Sequence, residues 1–130
     1  MKSKLEPIWD FDGVKNCSLM GYMKYTQNEL ESCFGTPHSD STINGSVIPD
    51  DGKVQYEWWF DIDGTPVTIY DYKEFGKIDP DEEILWHIGG ENYGAVLAIH
   101  SLGFEKAVTR PEYMERLENP YGHKESEKLV

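Results

Sequence analysis

Glu57, Asp71 and His87 are the residues whose types could do acid–base chemistry. A carboxylate and an imidazole within hydrogen-bond reach of a substrate proton can take it or return it. In the strand register derived below, Glu57 and Asp71 point to opposite faces of a hairpin, so they cannot act together. Glu57 with His87 stays open, provided a third strand brings His87 to the same face. The plainer account is a histidine that is structurally satisfied or simply exposed. His38, His87, His100 and His123 have no metal-like spacing. Asp79, Asp81 and Glu83 alternate like the start of a calcium loop, but the required glycine and distant glutamate are missing. No metal and no cofactor is expected. Gly89-Gly90 precedes a helix N-terminus, a place suited to anions. Glu91 would repel a phosphate there, and no nucleotide fingerprint follows. Chain reversal is the expected role of the two glycines. Cys17 and Cys33 lack a second metal-type pair and any export signal, so they read as free thiols.

The element that must position these groups runs from Lys53 to Lys73. Val54, Tyr56, Trp58, Phe60 and Ile62 alternate with Gln55, Glu57, Trp59, Asp61 and Asp63, the period of a strand. Asp63-Gly64 is a preferred two-residue type I′ turn. It sets Ile62 opposite Thr65, Phe60 opposite Val67, Trp58 opposite Ile69 and Tyr56 opposite Asp71. The other face pairs Asp61 with Pro66, Trp59 with Thr68, Glu57 with Tyr70 and Gln55 with Tyr72. One face is therefore apolar, and the other mixes carboxylates with Trp59, Tyr70 and Tyr72. Trp58 belongs to the core, and Trp59 points the other way.

Thr26 to Glu29 is a capping box, and Gly35 and Pro37 stop the helix it opens, at about residues 27–34. Residues 38–52 read as loop and 74–83 as an acidic loop. Ile84 to Ile88 reads as a third strand ended by the two glycines. Asn92 can cap a second helix running to about Leu102, apolar on most sides and so buried. Thr109 to Glu112 opens a third helix to about Glu118. Residues 1–24 read as an irregular or partly stranded arm and 119–130 as a frayed tail. The expected fold is α+β: a single domain over 1–130, with a small antiparallel sheet of about three strands packed on one face by two to three helices. The other sheet face is left open, or the arm covers it through Trp9 and Phe11.

The net charge is −12, and residues 57–91 hold 10 acids against 2 bases, so −8 of it. Such a field disfavours direct contact with nucleic acid and with anionic membranes and favours basic surfaces; the plainer account is solubility. The longest uncharged apolar run, Tyr93 to Phe104, is too short to span a bilayer, and the opening MKSKLEPIWDFDG has two lysines but not the apolar stretch of a signal peptide, so a cytoplasmic protein is expected. Trp and Tyr are the usual anchors of interfaces. The candidate binding residues are Glu57, Trp59, Asp61, Asp63, Tyr70, Tyr72, Asp81, Glu82 and Glu83. Two classes of function follow. The first is an acidic, non-enzymatic protein that docks on a basic protein surface. The second is a nucleotide-like ligand-binding protein or enzyme that stacks its ligand on the aromatic face, with Glu57 or His87 as acid–base group. Self-association as a homodimer is also expected, through an edge strand or the helix around Tyr113, Met114 and Leu117.

Phe34-Gly35-Thr36-Pro37 after a short helix, Glu57-Trp58 with Asp63-Gly64, Ile69-Tyr70-Asp71-Tyr72-Lys73, and Trp86-His87-Ile88-Gly89-Gly90 together resemble a small family of uncharacterised proteins carried by bacteriophages and large DNA viruses. The resemblance covers about residues 26–100. It implies a small viral protein that acts on host or viral machinery inside the host cell, and it carries over no catalytic residue. The helix followed by FGTP also resembles small outer-membrane assembly lipoproteins, against which the missing signal and lipobox argue.

Overall fold

Asp63 and Gly64 have φ values of 50° and 90°, the left-handed pair that a type I′ turn requires. They join β4 (Tyr56–Ile62) to β5 (Thr65–Tyr70) in the expected register, from Ile62 opposite Thr65 to Glu57 opposite Tyr70. The structure is a computed structural model that describes residues 4–37, 39–40, 56–72 and 78–118. Of the loop expected over 38–52, residues 39–40 are described, as a short strand; the rest of it, Gln55, His123 and the tail at 119–130 lie outside the described residues.

The sheet is larger than the three strands expected. β6 (Ile84–Gly90) pairs with β5, and β2 (Ser18–Tyr25) pairs with the far side of β6. β1 (Leu5–Pro7) and β3 (Ser39–Asp40) pair with β4, and β7 (Val108–Thr109) pairs with β2. Among the described residues the seven strands all pair antiparallel, in the order β1-β4-β5-β6-β2-β7 with β3 on β4. Part of the arm expected over 1–24 is thus an inner strand. Its period-two pattern is hidden because a register shift between Leu19 and Gly21 changes its phase. β1, β3 and β7 are two or three residues long, too short to show a period.

α1 (Gln27–Phe34) starts with the expected capping box: Glu29 N–H donates to Thr26 Oγ1 at 3.1 Å, and Thr26 N–H donates to Glu29 Oε1 at 2.8 Å. Leu30 and Phe34 of α1 pack with Ala95, Val96 and Ile99 of α2 (Gly94–Ser101) against one sheet face, over Met23, Trp58, Ile69, Trp86 and Ile88. The Trp58 and Trp86 indole N–H groups donate to the Gly35 and Tyr25 carbonyls, both at 2.8 Å. Neither buried ring carries an orphaned donor. Asp71, also fully buried, accepts the Tyr56 amide at 2.8 Å and closes the open end of the hairpin.

Three expectations about the helices and glycines are corrected. α2 is not buried all round: Tyr93 and Leu97 are exposed, because only the side bearing Ala95, Val96 and Ile99 meets the sheet. Gly89 and Gly90 do not reverse the chain but continue β6, where Gly89 faces Thr68 and Gly90 faces Ala95 too closely for a Cβ. The helices are not confined to one face. α3 (Arg110–Glu118) opens with Thr109 and Glu112 bonded to each other, as expected, but Tyr113 packs at a tilt on Tyr22, ring centroids 4.4 Å apart, on the face away from Trp86. No helix among the described residues is long and apolar enough to cross a membrane.

Candidate functional site

Four residues stand in register across four strands on the outer face: Glu57, Tyr70, His87 and Tyr22. Each alternates with a core residue (Trp58, Ile69, Trp86 or Ile88, and Met23), so the pleat itself turns all four outward. His87 is ringed by tyrosines. Its ring centroid lies 5.2 Å from Tyr70, 5.3 Å from Tyr72 and 4.9 Å, edge-on, from Tyr22. Tyr113 then covers Tyr22 from α3.

Burial pulls the His87 pKa below its ordinary value, so the imidazole is neutral at pH 7. Burial, and then the Glu57 charge beside it, pushes the Tyr70 hydroxyl up to about 12. Tyr70 therefore stays a neutral ring with a hydroxyl to donate. Glu57 accepts the Trp59 indole N–H at 2.8 Å. β5 separates Glu57 from His87, so the two side chains start about 10 Å apart, two strand spacings. They share a face, as the acid–base option required, but Tyr70 stands between them and no direct hydrogen bond joins them.

The nine candidate binding residues do not form one surface. Glu57, Tyr70 and Tyr72 share the His87 face. Trp59 points to that face as expected, but it is only 8% exposed and packs with Val14, Ile8 and Cys17. The arm covers this half of the face through those residues; Trp9 and Phe11, expected to do so, are 62% and 66% exposed. Asp61 and Asp63 are bound up at the hairpin tip, where Asp61 accepts the Gly64 amide and Asp63 the Lys4 amide, each at 2.7 Å. Asp81, Glu82 and Glu83 precede β6, at the opposite end of the sheet. There Asp81 accepts from Asn28 at 2.6 Å and Glu83 pairs with Lys106 at 2.5 Å. Tyr22 and Tyr113 were not anticipated as site residues. Tyr22 lies in the segment read as an arm, and nothing local tied either residue to His87.

Cys17 and Cys33 are free. Burial, and then the Glu91 charge, raise the Cys17 thiol to about 11, so it is no ready nucleophile. Among the described residues no three His, Cys, Asp or Glu side chains converge in a way that could hold a metal ion.

The histidine carries a pH test. Its folded pKa lies below the unfolded value of about 6.5. Between those two values the unfolded chain binds a proton that the folded chain does not. The contribution of neutral His87 to stability is therefore full above about pH 6.5 and lost as pH falls through the window beneath it. In denaturation series from neutral pH to about 5, His87→Gln should lose stability less steeply than the parent chain. Parallel curves would show that His87 is not held neutral.

No family model matches the chain, and no curated protein or solved structure matches it significantly.

Proposed function

We propose that this chain is a non-enzymatic binding protein that docks, in the manner of a DNA mimic, on a basic surface of a host or viral protein. The observation that carries the reading is the outer-face row of Glu57, Tyr70 and His87 with Tyr72 beside it, backed by Tyr22, which is buried under Tyr113. Tyrosines that pack on one another lose little side-chain freedom on binding and offer both ring and hydroxyl to a partner. A net charge of −12 speeds encounter with a basic partner and makes it salt-sensitive. The face is acidic at one end only: beyond Tyr22, a recess beside Tyr113 is rimmed by Lys24, Lys106, Arg116 and Glu105. The basic partner therefore sits on the Glu57 half.

Capture from host lysate tests this. A basic protein should be retained at low salt and released at high salt. The pair Glu57→Gln and Tyr72→Ala should abolish retention, and Glu82→Gln, at the far end of the sheet, should not. Retention that survives high salt, or that ignores the paired substitution, refutes the reading. The same tyrosines would also stack a nucleotide base, which is the ground for the alternative of a small-ligand protein or enzyme. Glu57 in the row opposes the phosphates of such a ligand. A rise in Tm with nucleotides would favour it over protein docking.

Self-association is expected to use α3, where Met114 and Leu117 are exposed while Tyr113 is turned to the sheet. This leaves the Glu57 half of the outer face free. Light scattering decides: a strict monomer at high protein concentration refutes the dimer, and a dimer confined to high salt moves the contact to the acidic face.

A further inference from the structure

Between the arm and the outer face of β4 and β5 lies a recess of about 230 Å3. Three rings line it, those of Phe11, Trp59 and Tyr70, and among the described residues Glu57 is the only charged one of its lining. Trp59 and Val14 form the buried cluster beneath it, while Phe11 is 66% exposed. We propose that this recess takes an ammonium or guanidinium group, supplied in docking by a lysine or arginine side chain of the basic partner. The inference rests on the docking reading given above.

Ring faces carry negative potential and attract cations, most strongly where the cation is desolvated and a carboxylate stands by. Glu57 supplies that carboxylate. The Trp59 indole N–H holds it at 2.8 Å, and a carboxylate accepts several further bonds. Tyr70 adds no charge of its own, because its hydroxyl stays protonated up to about 12. A second carboxylate, Glu91, lies close enough to act on Cys17, which lines the same recess. Lys15, on the arm, pairs with Asp12 at 3.9 Å and does not line the recess. An exposed phenylalanine on a strongly acidic chain is otherwise unexplained; as a wall over a cation it has a role. The Glu57 carboxylate opposes an anion at this place.

The test uses the whole chain and three probes: Nα-acetyl-lysinamide, Nα-acetyl-argininamide and the neutral Nα-acetyl-norleucinamide. The reporter is the Trp59 indole N–H signal in nitrogen–proton NMR spectra, assigned with Trp59→Phe. At least one cationic probe should shift it saturably, and the norleucine probe should not. Glu57→Gln should weaken binding by about tenfold, the loss that corresponds to about 1.4 kcal/mol. Phe11→Ala, at a position too exposed to disturb folding, should weaken it too. No shift with either cation, an equal shift with norleucine, or a response unchanged in both variants overturns the proposal. The two readings fail separately. A silent indole with a basic protein still retained from lysate removes the recess and leaves the docking. A saturable shift with no basic protein retained keeps the cation site and removes the docking.

Discussion

Trp58→Ala lowers the unfolding free energy by about 3–5 kcal/mol in chemical denaturation. Trp58 is 0% exposed and lies edge-to-face on Trp86 at 5.5 Å, with Phe34 beyond it at 6.4 Å. Truncation forfeits the transfer energy of the ring and leaves a cavity among side chains held by two helices and a sheet. It also orphans a tie between sheet and helix, since the Trp58 indole N–H anchors the Gly35 carbonyl at the end of α1. Trp59→Ala is expected to cost distinctly less. Trp59 is 8% exposed, and its apolar neighbours Ile8, Val14 and Cys17 belong to the arm, whose side chains can settle into the space. The cost of a cavity depends on how far its surroundings collapse. The residual open face begins only beyond Trp59, at Tyr70 and His87. Equal, large losses at Trp58 and Trp59 would mean that the outer cluster is as rigid as the core, and the docking face would lose its basis.

The second large effect is at two glycines. Gly90→Ala places a methyl against the Ala95 Cβ of α2, and Gly21→Ala places one against the Val108 carbonyl of β7 and 2.7 Å from Val96 Cγ2. Neither the Ala95 methyl nor the Val108 backbone can rotate away, so α2 or β7 must move off the sheet. Overpacking of this kind costs about 1–3 kcal/mol, and more where the backbone shifts. Gly89→Ala differs in a way that can be measured. Its Cβ meets the Thr68 hydroxyl, a side-chain atom. Adding Thr68→Ala should recover much of the loss at Gly89 and none of the loss at Gly90. Three glycine variants with equal midpoints to the parent would show that the helix and β7 are not seated this closely.

The sequence by itself determined what local signals specify. The hairpin register followed from ten alternating residues and one Asp-Gly turn, because a two-residue turn leaves no freedom in pairing. The capping boxes at Thr26 and Thr109 were legible because each is closed by residues three apart. The opposite sides of Trp58 and Trp59 followed from the pleat alone. Only the tertiary structure decided how these pieces meet. Residues 18–25 became an inner strand because β6 offered a free edge to a segment whose bulge had masked its period. That one pairing brought Tyr22 to His87 and completed the row. α3 crossed to the outer face because its cap is tied to β7 at the sheet edge, and neither contact has a local sequence signal. The acidic segment was continuous along the chain but not in space. Its carboxylates went to a turn, to a helix end and to an ion pair at opposite ends of the sheet, because hydrogen-bond demand at each place drew them in. Glu57 remained beside the rings, since cross-strand pairing, which depends on both strands, set it next to Tyr70.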